Sequence, residues 1–284
     1  MIHIETVAAL RATVRDATAR GLTVRFVPTM GALHDGHAAL IRTARESGGF
    51  VLVSVFVNPT QFGPNEDFAR YPRTPDADAT LAAKSGADAL WAPLAEELYP
   101  PGESTRLSVG ALGAVWEGAF RPGHFDGVAT VVTKLLAATS ADVLYLGEKD
   151  FQQTVVVRRL VRDLLLATEV CIVPTVREPD GLAMSSRNRY LSAEDRRAAA
   201  AISRALRSAG ELVARGERDA EVVRRHLHEI IGAEPRVRLQ YAGIVNADTL
   251  ESVGVLDAPS RALVAALVGD THLIDNLLLV PPTP

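Results

Sequence analysis

Two histidines, His34 and His37, stand three residues apart in the run Pro28-Thr-Met-Gly-Ala-Leu-His-Asp-Gly-His37. Imidazoles at that spacing can point at one anionic group. Gly31 and Gly36 let a ligand approach the backbone closely. The run follows a short apolar stretch that reads as a strand and opens a periodic stretch that reads as a helix. A helix N-terminus offers unpaired N–H groups and a partial positive charge, and both attract phosphate. Asp35 is a candidate cap for that helix. The competing reading is a pair of satisfied surface histidines. A zinc site is disfavoured, because neither a third close ligand nor a His-Glu-x-x-His helix accompanies the pair.

Four further segments carry usable chemistry. Leu146-Gly-Glu-Lys-Asp-Phe-Gln-Gln153 repeats the strand, glycine, helix pattern. Lys149 would stand at the carboxyl end of a sheet, where open α/β folds bind ligands. Gln153 falls in the first helical turn and faces the same crevice, while Asp150 is either a helix cap or a nucleotide contact. Met184-Ser-Ser-Arg-Asn188 follows the turn Pro179-Asp-Gly181. Its two hydroxyls and guanidinium suit phosphate oxygens, although surface loops also read this way. In Phe56-Val-Asn-Pro-Thr-Gln-Phe-Gly63, the amides of Asn58 and Gln61 can fix a hydroxylated substrate without adding charge. Asn58 before Pro59 equally suits plain turn chemistry. Arg121-Pro-Gly-His-Phe-Asp-Gly127 sets a cation and His124 before a helix, as ligand contacts or as a structural loop.

The elements that must position these segments alternate along the chain. Glu5 to Arg20 carries Val7, Leu10 and Val14 at helical spacing. Thr23 to Val27 is expected as a short strand. His37 to Glu46 is expected as a helix, with Leu40, Ile41 and Ala44 inward and Arg42, Arg45 and Glu46 outward. Phe50 to Val57 is apolar almost throughout, which suits a strand buried on both faces of a parallel sheet. Asn58 to Pro75 reads as a loop, Asp76 to Ser85 as a helix, Ala87 to Trp91 as a strand and Pro100 to Pro122 as irregular chain. Gly127 to Ala138 and Phe151 to Leu166 read as helices, Val143 to Leu146 and Glu169 to Val173 as strands. Such alternation implies βαβ crossovers and a parallel sheet. After Pro174 the pattern changes. Ala193 to Arg215 is a long helix with Ser192 as its N-cap, and Ala220 to Ile231 is another. The runs Val237 to Val245, Ala262 to Val268 and His272 to Leu279 are strand-like. This α+β signature places a second domain from about Val176 onward. There is no internal repeat and no low-complexity tract.

Composition narrows the class. The chain has 284 residues, 48% apolar and 23% charged, with a net charge of −4. That length supports about two domains or one large α/β domain. The negative balance argues against a dedicated nucleic-acid binder, which would show a basic excess. The single cysteine, Cys171, excludes an internal disulfide framework. It sits in an apolar run and reads as a buried small hydrophobe rather than a reactive thiol. This usage fits a reducing cytoplasm, and Met1 to Leu10 lacks the pattern of a signal peptide. No apolar run approaches the roughly 20 residues that span a bilayer. Thr271 to Val280 is the most apolar segment near the end, but Asp275 and Asn276 interrupt it.

Together the five segments resemble those of the pantoate–β-alanine ligase family, the pantothenate synthetases, in the right order over nearly the whole chain. No departure from the family's pattern is visible within them. The family belongs to a wider group of nucleotidyltransferases with a Rossmann-like fold. In that group a His-x-Gly-His motif and a Lys-Met-Ser-Lys-Ser-like loop grip ATP. Met184-Ser-Ser-Arg187 stands in that loop's place, with Arg187 as the cation. The resemblance implies a Rossmann-like parallel-sheet domain over 1–175 that binds ATP and pantoate. It also implies a smaller α+β domain over 176–284 that closes over the site. The implied reaction joins pantoate to β-alanine through a pantoyl adenylate, releasing pyrophosphate and then AMP.

By the same carry-over, His34, His37, Lys149, Ser185, Ser186 and Arg187 are the catalytic set, with His37 a candidate proton donor. ATP would be lined by Met30, Gly31, Ala32, Leu33, His34, Asp35, Gly36 and His37, and by Gly147, Glu148, Lys149 and Asp150. Val176, Met184, Ser185, Ser186 and Arg187 would complete that lining. Gln61 and Gln153 would hold pantoate, with Gln61 also serving β-alanine. Arg121 and His124 would bind near the crevice mouth. Mg²⁺ is expected with ATP, with Asp76, Asp78 and Asp150 as candidate ligands. The family also implies a cytoplasmic homodimer, with no nucleic-acid or membrane partner. Three rival readings stand beside this one. An adenylyltransferase of the pantetheine-phosphate type would leave AMP on its product. A tRNA-charging domain would bind tRNA in a salt-sensitive way. A catalytically dead binding protein would have lost a motif histidine or lysine.

Overall fold

Phe50–Val55 forms a strand because its side chains are apolar on both faces, and it lies inside a six-stranded sheet. The computed structural model describes residues 1–64 and 66–282. The strands are β1 (Ile2–Ile4), β2 (Val24–Thr29), β3 (Phe50–Val55), β4 (Ala89–Trp91), β5 (Val143–Gly147) and β6 (Glu169–Val173). They lie in the order β1-β4-β3-β2-β5-β6, and every pairing is parallel. The helices of this part are α1 (Val7–Ala19), α2 (Asp35–Glu46), α3 (Pro75–Ser85), the short α4 (Ala95–Leu98) and α5 (Glu117–Phe120), α6 (His124–Thr139) and α7 (Phe151–Asp163).

Alternation along each strand splits the core in two. Phe26, Leu52, Trp91 and Leu144 pack with α1, α6 and α7. Val27, Val51, Val53, Leu90 and Tyr145 pack with α2 and α3. Helices therefore cover both faces, and the strands are apolar on both sides for that reason. β2 has β3 on one edge and β5 on the other. The chain winds from β2 outward to β4 and then returns to lay β5 on the opposite edge. The carboxyl ends of β2 and β5 thus flank a topological switch point, where open α/β sheets bind ligands.

The chain divides into two compact units. The first comprises Met1–Ala114, Gly118–Glu148 and Val156–Pro174; the second comprises Val115–Glu117, Lys149–Val155 and the chain from Thr175 onward. In the second unit β7 (Val237–Asn246), β8 (Ser260–Val268) and β9 (Thr271–Leu279) form an antiparallel sheet in sequence order. Helices α8 (Ala193–Ala214) and α9 (Ala220–Gly232) pack with it. Ile202, Leu206, Leu227 and Ile231 meet Ile244, Val264 and Leu273 in its core. Ser192 caps α8 by accepting from Asp195 N–H at 3.1 Å. Trp116 docks on β7 at Gly243, where a Cβ would lie 2.4 Å from the indole ring. Its Nε1 donates to the Leu250 carbonyl at 2.8 Å.

The structure departs from the sequence expectations at several ends. The edge strand β1 was not anticipated; three residues are too few to show a period. β3 stops at Val55 rather than Val57. Helix α6 starts at His124, not Gly127, so His124 lies inside the helix rather than before it. Gly127 is no boundary but a point of close approach: a Cβ there would lie 2.3 Å from the Thr60 carbonyl oxygen. α7 ends at Asp163 rather than Leu166, and Leu165 takes a φ of 54°, in the left-handed region that stops helices. Cys171 is only half-buried, because β6 is a sheet edge. Burial, then Glu169, push its thiol upward, against a smaller pull from Arg25, so it stays protonated at neutral pH. No helix among the described residues is long and apolar enough to cross a membrane.

Candidate active site

After β2 the chain turns through Gly31 at φ 80° and Ala32 at φ 50°. A buried carboxylate holds that turn. Asp78 of α3, 2% exposed, accepts from Ala32 N–H at 3.0 Å, Leu33 N–H at 2.7 Å and Thr74 Oγ1 at 3.0 Å. Gly31 is required twice over, since a Cβ there would also lie 2.9 Å from Val55 Cγ1 and 3.0 Å from Asp78 Oδ2. These bonds commit Asp78 to backbone and hydroxyl donors, at about three of its four lone-pair sites. Asp76 is exposed on the first turn of α3. Among the described residues no group of three His, Cys, Asp or Glu side chains could hold a metal ion.

The two histidines form the entry to α2. His34 is the N-cap, in place of Asp35, which becomes the first helical residue. His34 Nδ1 accepts from Gly36 N–H at 3.1 Å, and His37 Nδ1 accepts from His34 N–H at 3.2 Å. The rings stand 4.1 Å apart between centroids, tilted by 43°. Two of the orphan donors of the helix are thereby satisfied by imidazole. An accepting Nδ1 leaves the single proton of a neutral ring on Nε2. Each ring therefore carries its N–H donor on the side away from the cap.

Gln61 is nearly buried, in the 3-10 turn Pro59–Gln61. Its amide accepts from Asn58 Nδ2 at 3.1 Å and donates to Met30 Sδ at 2.9 Å. The carbonyl of Gln61 receives His124 Nδ1 at 2.7 Å and Arg121 Nη2 at 3.3 Å. Since His124 donates from Nδ1, its Nε2 accepts from Arg121 Nη1 at 3.3 Å. Arg121 in turn forks onto Glu66 at 2.9 and 2.5 Å. Burial pushes the Glu66 carboxyl up, but the hydrogen bond and charge of Arg121 hold it below its usual range. Asn58 is committed to the fold. It also donates to the Gly127 carbonyl, and its Oδ1 accepts from Thr60 and from Tyr99. Burial pushes the Tyr99 phenol up, so it remains a donor. Arg121 and His124, expected at a crevice mouth, hold the Gln61 turn in place.

At the end of β5, a Cβ on Gly147 would meet nothing within 4 Å, so the backbone there is approachable. Glu148–Asp150 forms a 3-10 turn, in which Lys149 Nζ pairs with Asp150 Oδ1 at 3.1 Å. Gln153 is half-exposed in the first turn of α7. Its neighbour Gln152 is buried instead, bonded to Glu117 N–H and the Val115 carbonyl. Further on, Val176 and Met184 face each other across a hairpin, with Met184 N–H on the Val176 carbonyl at 3.0 Å and a bridge between Arg177 and Ala183. Ser185 Oγ then accepts from Arg187 N–H at 3.3 Å and caps the 3-10 turn Ser186–Tyr190. Ser186 is buried, Arg187 half-exposed, and Asn188 ties the loop to Glu178 and the Ala183 carbonyl.

The first unit thus gathers Met30 to His37 and Gln61 beside the end of β2, with Gly147 and Glu148 ending the neighbouring strand. The second contains Lys149, Asp150, Gln153, Val176 and Met184 to Arg187. Sequence reasoning missed Asp78 as an anchor, along with Glu66 and Tyr99. One signal was available: Asp78 shares the buried face of α3 with Ala82 and Ser85, so an acid falls on an apolar stripe.

A family model described as pantoate-beta-alanine ligase matches residues 2–278. A pantothenate synthetase of Moorella thermoacetica is 50% identical over 276 residues, covering 97% of this chain and 98% of the relative. A crystal structure of pantothenate synthetase from Thermus thermophilus superposes with a TM-score of 0.93 at 48% identity, covering 99% of this chain and 100% of the other. A pantoate-beta-alanine ligase from Francisella tularensis, described as complexed with beta-gamma ATP and beta-alanine, matches with a TM-score of 0.80 at 35% identity. That match covers 98% of this chain and 97% of the other.

Proposed function

The chain belongs to the pantoate–β-alanine ligase family, and from that premise we propose that it condenses pantoate with β-alanine at the expense of ATP. In the first step a pantoate carboxylate oxygen attacks the α-phosphorus of ATP. The bond to pyrophosphate breaks, leaving pantoyl adenylate. In the second step the β-alanine amine attacks the acyl carbon, AMP leaves, and the nitrogen gives up a proton. Neither step needs a protein nucleophile; positioning and charge neutralisation supply the rate.

The histidine cap carries the assignment of roles. With both Nδ1 atoms held by backbone N–H groups, the Nε2–H groups of His34 and His37 are preset donors at the start of α2. Such donors, added to a helix N-terminus, suit phosphate oxygens that gain charge during transfer. By family resemblance, Lys149, Ser185, Ser186 and Arg187 are further donors to the nucleotide. Met30 to His37, Gly147 to Asp150, Val176 and Met184 complete its lining. Gln61 takes pantoate and β-alanine, and Gln153 takes pantoate. In this reading the domain over 1–175 binds ATP and pantoate, and the smaller one over 176–284 serves the same reaction. Mg²⁺ is expected to accompany ATP, where it would add charge neutralisation at the phosphates, with Asp76, Asp78 and Asp150 as the candidate carboxylates. The homodimer and the cytoplasmic setting are carried by family resemblance. The adenylyltransferase alternative is not favoured, since the relatives named above are synthetases.

Pantoate- and β-alanine-dependent AMP release from MgATP tests the reaction. Absence of AMP at saturating substrates would refute it, and AMP retained on the product would revive the alternative. The site assignment is tested by His37→Ala and Lys149→Ala. Both are expected to fold while losing adenylate formation by roughly 10²- to 10³-fold; near-normal rates in both would remove these residues from the site.

A further inference from the structure

The apolar stretch Thr271 to Val280 is broken by a carboxylate and an amide, Asp275 and Asn276, and both are buried. Polar side chains of this kind stay inside a fold only when partners satisfy them. They are consecutive on β9, opposite Val264 and Leu263 of β8. Asp275 accepts the two arms of the Arg177 guanidinium at 2.6 and 3.0 Å. Arg177 also donates to the Gly181 carbonyl at 3.1 Å and the Asn276 carbonyl at 3.4 Å. Asn276 Nδ2 donates to the backbone carbonyl of Lys149 at 2.9 Å, and Asn276 N–H donates to Asp275 Oδ1 at 2.7 Å.

One dipeptide therefore holds two segments that lie far apart in the chain. Asn276 fixes the backbone at Lys149. Asp275, through Arg177, fixes the hairpin that pairs Val176 with Met184 and leads into Ser185, Ser186 and Arg187. Stability alone does not call for this arrangement, because an apolar pair of similar size would hold the sheet as well. An apolar pair could not fix a carbonyl or orient a planar guanidinium. We propose that Asp275 and Asn276 are positioning residues for adenylate formation, setting Lys149 and the Met184 to Arg187 loop in register without touching substrate. The inference rests on the ATP-binding roles given above to Lys149 and Arg187.

Two half-reactions separate this role from a merely structural one. Pantoate-dependent exchange of labelled pyrophosphate into ATP reads the first, in which the triphosphate must be gripped. Aminolysis of separately supplied pantoyl adenylate by β-alanine reads the second, in which no triphosphate is present. The variants are Asp275→Asn, Asn276→Leu and Arg177→Lys, each with its thermal midpoint. Arg177→Lys keeps the charge, loses the fork, and changes a side chain that is 28% exposed, so it decides the matter if the buried variants fail to fold. Folded variants are expected to lose exchange by roughly 10- to 100-fold while aminolysis stays within about twofold. Equal losses in both half-reactions, or no loss in either, would overturn the inference while leaving the family reading intact. A wild-type enzyme inactive in both half-reactions would overturn that reading and the inference with it.

Discussion

The role proposed for His34 and His37 rests on the atom each presents. Nδ1 of each ring is used to cap α2, and that commitment determines which nitrogen carries the donor. Asp78 does comparable work one layer back. By accepting from Ala32 and Leu33 it holds the turn in which Gly31 and Ala32 keep positive φ, a conformation that would otherwise relax. Asp78→Asn would replace an acceptor oxygen with an NH₂ group facing the same donors. The expected result is a loss of about 1–3 kcal/mol in stability by urea unfolding, together with a raised KM for ATP. An unchanged KM would mean that the turn does not depend on this carboxylate. The histidines were legible in the sequence because cap, glycine and imidazole all fall within one short run. Asp78 was not, because its partners Ala32 and Leu33 are 46 and 45 residues away.

Among the elements, the 3-10 turn Pro59–Gln61 shows how a loop is made rigid. It is gripped by Arg121 and His124 at the start of α6, and Arg121 is itself held by Glu66. Glu66 is held below the pKa it has in the unfolded chain, so its contribution to stability is present at neutral pH. As pH falls through the lowered folded value, the carboxylate is protonated and the contribution is lost. Glu66→Gln is therefore expected to lower the melting temperature at pH 7 and to approach wild type as pH drops below the ordinary carboxylate range. A deficit that persists undiminished in acid would show that shape, rather than charge, holds the turn. Helices and strands with clear periods were readable from their patterns. The ends of α6 and α7 were not, since Gly127 is a packing contact and Leu165 a left-handed stop, and neither property shows in hydrophobic period.

At the scale of the whole molecule, a ligand that binds only the native state adds stability by mass action. MgATP at 100 times its dissociation constant should contribute about 2.7 kcal/mol, seen as a rise of several degrees in the melting midpoint. No rise across millimolar MgATP would contradict nucleotide binding. The sequence by itself determined the alternation of strands and helices, the change to α+β after Pro174, the order of five motifs and, through family resemblance, the reaction. Each of these is local in the chain, or repeats with a period that burial imposes. Only the tertiary structure decided which partners the polar residues outside the motifs take. Asp78, Glu66, Tyr99, Asp275 and Asn276 find their partners across tens of residues, at distances that fold topology sets and periodicity cannot encode. A buried carboxylate reads alike in sequence whether it ligates a metal, caps a turn or orients an arginine; its neighbours in space choose among these, through the hydrogen bonds that its burial obliges it to make.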